Sequence, residues 1–198
     1  MARTFRYLTH PEVRIDPSVP VPDWGLSEKG EARTLAFRRS PVLKNTRSIF
    51  SSGERKARET AEIVAAELDL EITILDRSHE NDRSATGFLE PKEFEAVADQ
   101  FFAAPTESVR GWERAVDAQA RIVTEATRAI SQTLEHDILM VGHGGVGTLL
   151  LCHLAGLEID RKHDQVGGGG NIFAFDIERR SVLHAWRPME SFLGGLVE

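Results

Sequence analysis

One cysteine, Cys152, stands among 198 residues, so no internal disulfide is available. It lies in the apolar stretch 146–157 and reads as a buried, inert thiol, which fits a reducing, cytoplasmic compartment. Long apolar runs are missing too. That stretch is the most apolar of the chain, yet it contains His153 and is too short to span a bilayer. The start, Met1-Ala2-Arg3-Thr4-Phe5-Arg6, has no apolar core of the kind a signal peptide needs. Positive charge is in short supply: 24 Lys and Arg face 31 Asp and Glu, giving a net charge of −7 and a pI near 5.6. That balance argues against nucleic acid or an anionic membrane as partner. A small anionic substrate stays open, because a local basic pocket can override an acidic exterior. His79, His136, His153, His163 and His184 show no metal-ligand spacing, so no metal site is expected. Repeats, low-complexity tails and long linkers are also lacking.

What remains is an ordinary globular composition, 41% hydrophobic and 28% charged, read as one domain over 1–198. Strand-like and helix-like segments alternate along it. The spacing predicts strands at 4–9, 48–51, 72–75, 137–142, 172–176 and 182–186. Helices are predicted at 26–39, capped by Ser27 with Leu35 and Ala36 on one face, and at 53–68 with Ala57, Ala61, Val64, Ala65 and Leu68 inward. Pro91 and Pro105 bracket another helix. Ser108 is read as the cap of a long amphipathic helix keeping Trp112, Val116, Val123, Ala126, Ile130 and Leu134 on one side. A last helix runs to Ala155. Such alternation predicts an α/β fold: a three-layer α/β/α sandwich with a mainly parallel central sheet.

Two histidines close strands in this reading. His10 follows Thr4-Phe5-Arg6-Tyr7-Leu8-Thr9, and His143 follows Ile138-Leu139-Met140-Val141-Gly142 and opens the turn Gly144-Gly145-Val146-Gly147. Ligands of open α/β sheets bind beyond the carboxyl ends of the strands, so both imidazoles can meet in one site. Histidine attacks and titrates near neutral pH, which makes phosphoryl transfer the leading chemistry. A lone histidine is more often a satisfied structural residue; here two of them hold equivalent places.

The segment Ser51-Ser52-Gly53-Glu54-Arg55-Lys56-Ala57-Arg58 adds a second signal. It puts three basic residues into the first turns of a helix, where acids are normally favoured. A bound anion would reverse that preference. Arg55 and Arg58 have Glu59 and Glu62 four residues on and read as a solvated, paired face. Lys56 has Thr60 there instead and is the candidate for a pocket. The glycine run 167–170 reads as a flexible entry to a strand rather than a phosphate cradle.

Taken in order, these segments resemble the histidine phosphatase superfamily, the phosphoglycerate mutase-like fold. Leu8-Thr9-His10-Pro11-Glu12 stands where that family has Arg-His-Gly. Trp24-Gly25-Leu26-Ser27-Glu28-Lys29-Gly30 is similar to its Leu-Thr-x-x-Gly helix entry, and 52–61 to its Ser-Pro-x-x-Arg-Ala-x-x-Thr-Ala segment. Glu80, in His79-Glu80-Asn81-Asp82, resembles the acid after the third strand. Val141-Gly142-His143-Gly144-Gly145 is close to the second histidine motif.

The resemblance implies a phosphohistidine mechanism with no metal or organic cofactor. His10 would attack phosphorus, Glu80 would protonate the leaving oxygen, and His143 with the Gly144 amide would neutralise phosphoryl charge. The departures are specific. The first arginine of the family falls on Thr9, its glycine on Pro11 and its second arginine on Lys56, so the bidentate clamp is gone. Thr9 offers one hydroxyl and Lys56 a point charge. Arg83 is the first candidate for a replacement cation, with Arg110 and Arg114 behind it. Residues 84–109, anchored by Phe88, Leu89, Phe94, Phe101 and Phe102, are expected to cap the site and set substrate choice. Without a long insertion to exclude water, hydrolysis is expected over mutase chemistry. The expectation is a phosphomonoester hydrolase; the alternatives are a degenerate member that binds a phosphorylated ligand without turnover, or a structural domain. Substrate and oligomeric state stay open.

Overall fold

Side chains along β4 (Asp137–Gly142) alternate between two apolar cores, as a strand buried on both faces must. Ile138 and Met140 join one core, Leu139 and Val141 the other. β1 (Thr4–Thr9) divides in the same way, with Phe5 and Tyr7 on one face and Leu8 on the other. The computed structural model describes residues 3–194, so Met1 and Ala2 of the N-terminal stretch discussed above lie outside the described residues. The remaining strands are β2 (Thr46–Ser52), β3 (Ile72–Leu75), β5 (Asn171–Asp176) and β6 (Ser181–Pro188), in the sheet order β3-β2-β4-β1-β5-β6. β1 and β2 flank β4 in parallel, and β3 runs parallel to β2. β5 is antiparallel to both β1 and β6, so it alone runs against the rest.

Helices cover both faces, giving the three layers expected. α1 (Glu28–Phe37) and α2 (Arg55–Leu68) pack on the face that carries Leu8, Ile49 and Val141. α3 (Pro91–Ala103), α4 (Ala115–Gln132) and α5 (Gly144–Ala155) border the other core. Tyr7 stacks on Phe173 at 5.4 Å there, and Trp186 meets both rings edge-on. Among the described residues, no helix is long and apolar enough to cross a membrane.

Two sequence expectations need correction. Ser27 does cap α1, accepting the Gly30 N–H at 3.1 Å, but the buried face is Gly30, Thr34 and Phe37. Leu35 is exposed, because Phe37, the largest apolar side chain of the helix, fixes which stripe turns inward. Ser108 does not cap α4. Its hydroxyl donates to the Trp112 carbonyl, and a short 3-10 turn at Val109–Gly111 intervenes, with Arg110 and Gly111 at positive φ. The helix starts only at Ala115 and ends before Leu134, which is solvent-exposed. By contrast, α2 buries Ala57, Ala61, Val64 and Ala65 as its spacing predicts.

Candidate active site

The four parallel strands β1 to β4 end on one edge of the sheet, and the residues that follow them build the site. Thr9 pairs with Gly142 in the ladder, so the next residue on each strand emerges beside its counterpart. Those residues are His10 and His143. Their ring centroids lie 5.3 Å apart at 68°, and the His10 N–H donates to the Gly142 carbonyl at 3.0 Å. His10 Nδ1 is 2.9 Å from the Pro11 carbonyl oxygen. A carbonyl only accepts, so Nδ1 carries the proton and Nε2 the lone pair. Burial, with His143 and Lys56 adding to it, lowers the His10 pKa to about 3. The imidazole is therefore neutral and nucleophilic at physiological pH.

His143 is fully buried, and burial lowers its pKa as well. Its Nε2 lies 2.8 Å from Ser52 Oγ, which also accepts the Glu54 N–H at 3.3 Å. Its other ring nitrogen, Nδ1, is buried without a hydrogen-bond partner among the described residues. The backbone of His143 is pinned by Tyr7. The phenol oxygen accepts the His143 N–H at 3.0 Å, and the hydroxyl donates to the His143 carbonyl at 3.3 Å.

Glu80 stands over the start of α5. Its carboxylate accepts the N–H groups of Gly145 at 3.0 Å and Val146 at 2.9 Å, two of the donors a helix start leaves unpaired. The Gly144 N–H beside them has no such partner among the described residues. A Cβ at Gly144 would stand 2.4 Å from Gln165 Nε2, the end of a side chain that would have to swing aside. Burial would raise the Glu80 pKa, but Arg83, His143 and the backbone donors hold it below the ordinary carboxylate range. The Arg83 guanidinium lies 5.0 Å from the Phe94 ring centre and 5.6 Å from that of Trp112, a cation–π seat beside the site.

Lys56 is buried, as its placement predicts, but its ammonium is engaged. It donates to the Val21 carbonyl at 3.0 Å and is ion-paired with Glu54. Arg55 and Arg58 pair with Glu59 and Glu62 on the surface. Thr9 is buried with its hydroxyl committed: it donates to Gln165 Oε1 at 2.7 Å and accepts the Asn171 N–H at 3.0 Å. Arg110 and Arg114 form surface pairs with Glu93 and Asp117. The glycine run is not a loose entry, because Gly170 N–H donates to the His10 carbonyl at 3.0 Å.

Sequence reasoning assigned no role to Glu54, Ser52, Tyr7 or Arg121. Glu54 accepts the Glu80 N–H at 2.9 Å, holds Lys56 and lies 3.6 Å from His143 Nε2. Its only local signal is its position two residues before Lys56. Arg121 donates to the carbonyls of Arg77 and His79 at 2.7 and 2.9 Å and pairs with Glu113, tying down the segment that carries Glu80. Among the described residues, no three His, Cys, Asp or Glu side chains are grouped so as to hold a metal ion.

A mostly parallel α/β/α sheet with two histidines at adjacent strand ends defines a class of protein, and the comparisons place the chain within one family. The model of the histidine phosphatase superfamily (branch 1) matches residues 17–183, and the chain belongs to that superfamily. The match begins past His10, whose place beside His143 rests on the strand register. No curated protein matches the sequence. Among solved structures, the fold is similar to "Mycobacterial hydrolase 1", with a TM-score of 0.75, 20% identity, and coverage of 94% of this chain and 96% of that one. It is similar to mycobacterial glucosyl-3-phosphoglycerate phosphatase in complex with inorganic phosphate, with a TM-score of 0.73, 21% identity, and coverage of 94% and 95%. A phosphoserine phosphatase from Entamoeba histolytica in complex with 3-phosphoglyceric acid gives a TM-score of 0.74 at 18% identity, covering 93% and 97%.

Proposed function

We propose that the protein hydrolyses a phosphomonoester through a phosphohistidine formed on His10. The observation that carries this reading is the His10 geometry: Nδ1 is held by the Pro11 carbonyl, and the ring faces His143 at 5.3 Å. In the first step Nε2 attacks phosphorus and the bond to the leaving oxygen breaks. Glu80 delivers a proton to that oxygen. Glu80 is ionised in the free site. The arriving phosphoryl charge raises its proton affinity, so it takes up one proton from solvent as the substrate binds and passes it to the leaving oxygen. The proton it later takes from water returns to solvent with the product. In the second step Glu80 takes a proton from water, whose oxygen attacks phosphorus and releases phosphate and neutral His10. The His143 imidazole, the Gly144 N–H, Lys56 and Arg83 stabilise the phosphoryl oxygens. Thr9 acts by fixing the strand end through Gln165 and Asn171. Residues 84–109 form the cap in this reading, and Phe88 meets Trp24 from the loop before α1 at 5.6 Å.

One observation favours binding without turnover. Lys56 is already neutralised by Glu54, so the clamp starts weaker than an arginine pair would be. The deciding experiment is to trap labelled phosphate on the protein during exposure to a panel of phosphomonoesters. Acid-labile label and turnover are expected, and both should vanish in His10→Ala. Phosphate binding with no label on the intact protein would leave the binding-module reading; turnover that survives His10→Ala would refute the nucleophile.

A further inference from the structure

Glu54 is a second carboxylate inside the site, and the mechanism above gives it no task. It is almost fully buried, with its side chain 11% exposed. The groups around it come from four elements. Lys56 faces it from α2, the His143 imidazole from the turn after β4 and the Glu80 N–H from the segment after β3, while the Tyr7 phenol of β1 lies within electrostatic reach. Burial opposes its charge, but His143, Lys56 and the Glu80 N–H hold its pKa well below the ordinary carboxylate range. Glu54 is therefore an anion fixed beside His143 and Lys56, two of the groups that the proposed mechanism turns toward the phosphoryl oxygens.

The charges near the phosphoryl position then cancel. Lys56 and Arg83 are cationic, Glu54 and Glu80 anionic, and the two imidazoles are neutral. A dianion entering this site meets two carboxylates and no surplus of positive charge. A phosphoryl group that keeps one proton brings half the charge and one O–H donor. Glu54 Oε1, close to His143 Nε2, is an acceptor for that donor. We infer that Glu54 makes the site select the singly charged, protonated form of a phosphoryl group over the dianion. This rests on the phosphoryl-site reading above and adds a specificity residue to it. It also explains how a site with one lysine in place of an arginine clamp holds phosphate: the lysine is shared between Glu54 and a ligand that needs less charge.

The test is the affinity for inorganic phosphate, measured by calorimetry across its second ionisation near neutrality. His10, lowered to about 3, titrates below that window, and His143 is shifted downward, away from it. The intact protein should bind about thirtyfold more weakly near pH 8.5 than near pH 6, as one proton's worth of coupling above an ionisation near pH 7 requires. Glu54→Gln should bind more tightly at the higher pH and lose most of that dependence. Glu54→Asp keeps the charge and should keep the profile. A flat or rising profile in the intact protein overturns the inference, as does a Gln variant with the parental profile, or an Asp variant as flat as Gln. Should Glu54→Gln fail to fold, the intact protein and Glu54→Asp decide alone. Phosphoenzyme trapping separates the two claims. A flat profile with label on His10 removes only the role of Glu54, whereas absence of both phosphate binding and label removes the site reading as well.

Discussion

Gly169 has a φ of 84°, and a Cβ there would stand 2.2 Å from the His10 carbonyl oxygen. That oxygen already accepts the Gly170 N–H, so the backbone of the glycine run lies flush against the residue read as the nucleophile. An alanine at 169 meets both a disfavoured backbone region and a main-chain atom that cannot swing aside. Gly167 offers the natural control: its φ is 74°, but a Cβ there meets nothing within 4 Å. Gly169→Ala should therefore cost about 2–3 kcal/mol and Gly167→Ala about 1 kcal/mol or less, the difference between strain with and without a clash. Urea denaturation of the two variants measures it, and equal losses would show that the close approach is not what glycine is needed for. Similar dependence on distant partners explains Glu54. A glutamate in a basic helix start reads as part of a solvated face, and only the strand order brings Glu80 and His143 against it.

At the scale of elements, the segment between β3 and α3 has little regular structure of its own and is held from α4. Arg121 alone satisfies the carbonyls of Arg77 and His79, reaches that of Glu80 at 3.3 Å, and is braced by Glu113. A guanidinium does this with a planar fork that lysine lacks. Arg121→Lys should cost about 1.5–3 kcal/mol of stability, the range for hydrogen bonds to a charged group. Because Glu80 then loses its fixed position, kcat should fall further than phosphate affinity does. An unchanged kcat in Arg121→Lys would show that the backbone bonds to Gly145 and Val146 suffice to place the carboxylate. Much of this architecture was legible beforehand. His10 and His143 were readable because each ends an apolar period-two run, and the register Thr9 to Gly142 is the simplest way two such parallel ends can meet. Glu80 was placed by motif order. The start of α4 was misread because Ser108 is a good cap residue locally, while Arg110 and Gly111 at positive φ turn the chain before any helix begins. Thr9 was read as a phosphate contact, yet its hydroxyl is committed to Gln165 and Asn171, contacts that cross most of the chain and leave no local trace.

For the whole molecule, the site edge sets how stability responds to acid. His10 and His143 both have pKa values lowered by burial, His10 to about 3, whereas in the unfolded chain each returns to about 6.5. Between those values the unfolded state binds protons that the folded state refuses. Stability therefore rises with pH across this window and is lost as pH falls below about 6.5. The carboxylates act later. Glu54, Glu80 and Glu12 are all held below the ordinary range; partial burial would raise the Glu12 pKa, but Lys29 and Arg33 bring it down to about 2. Their stabilisation is intact above the unfolded value of about 4.3 and disappears only as pH drops through their folded values. Acid should thus weaken the protein in two stages, histidines first. Between about pH 6 and pH 4.5 the slope should approach about 1.4 kcal/mol per pH unit for His10 alone, with His143 adding to it in the same direction. Replacing His10 by Asn, a neutral side chain of similar polarity, should remove roughly one histidine's share of that slope while leaving the lower, carboxylate stage in place. Urea midpoints taken at several pH values on both proteins give the comparison directly. A parental slope near zero above pH 4.5 would mean that the His10 imidazole takes up a proton in the folded state, and the neutral nucleophile assigned to it would fall.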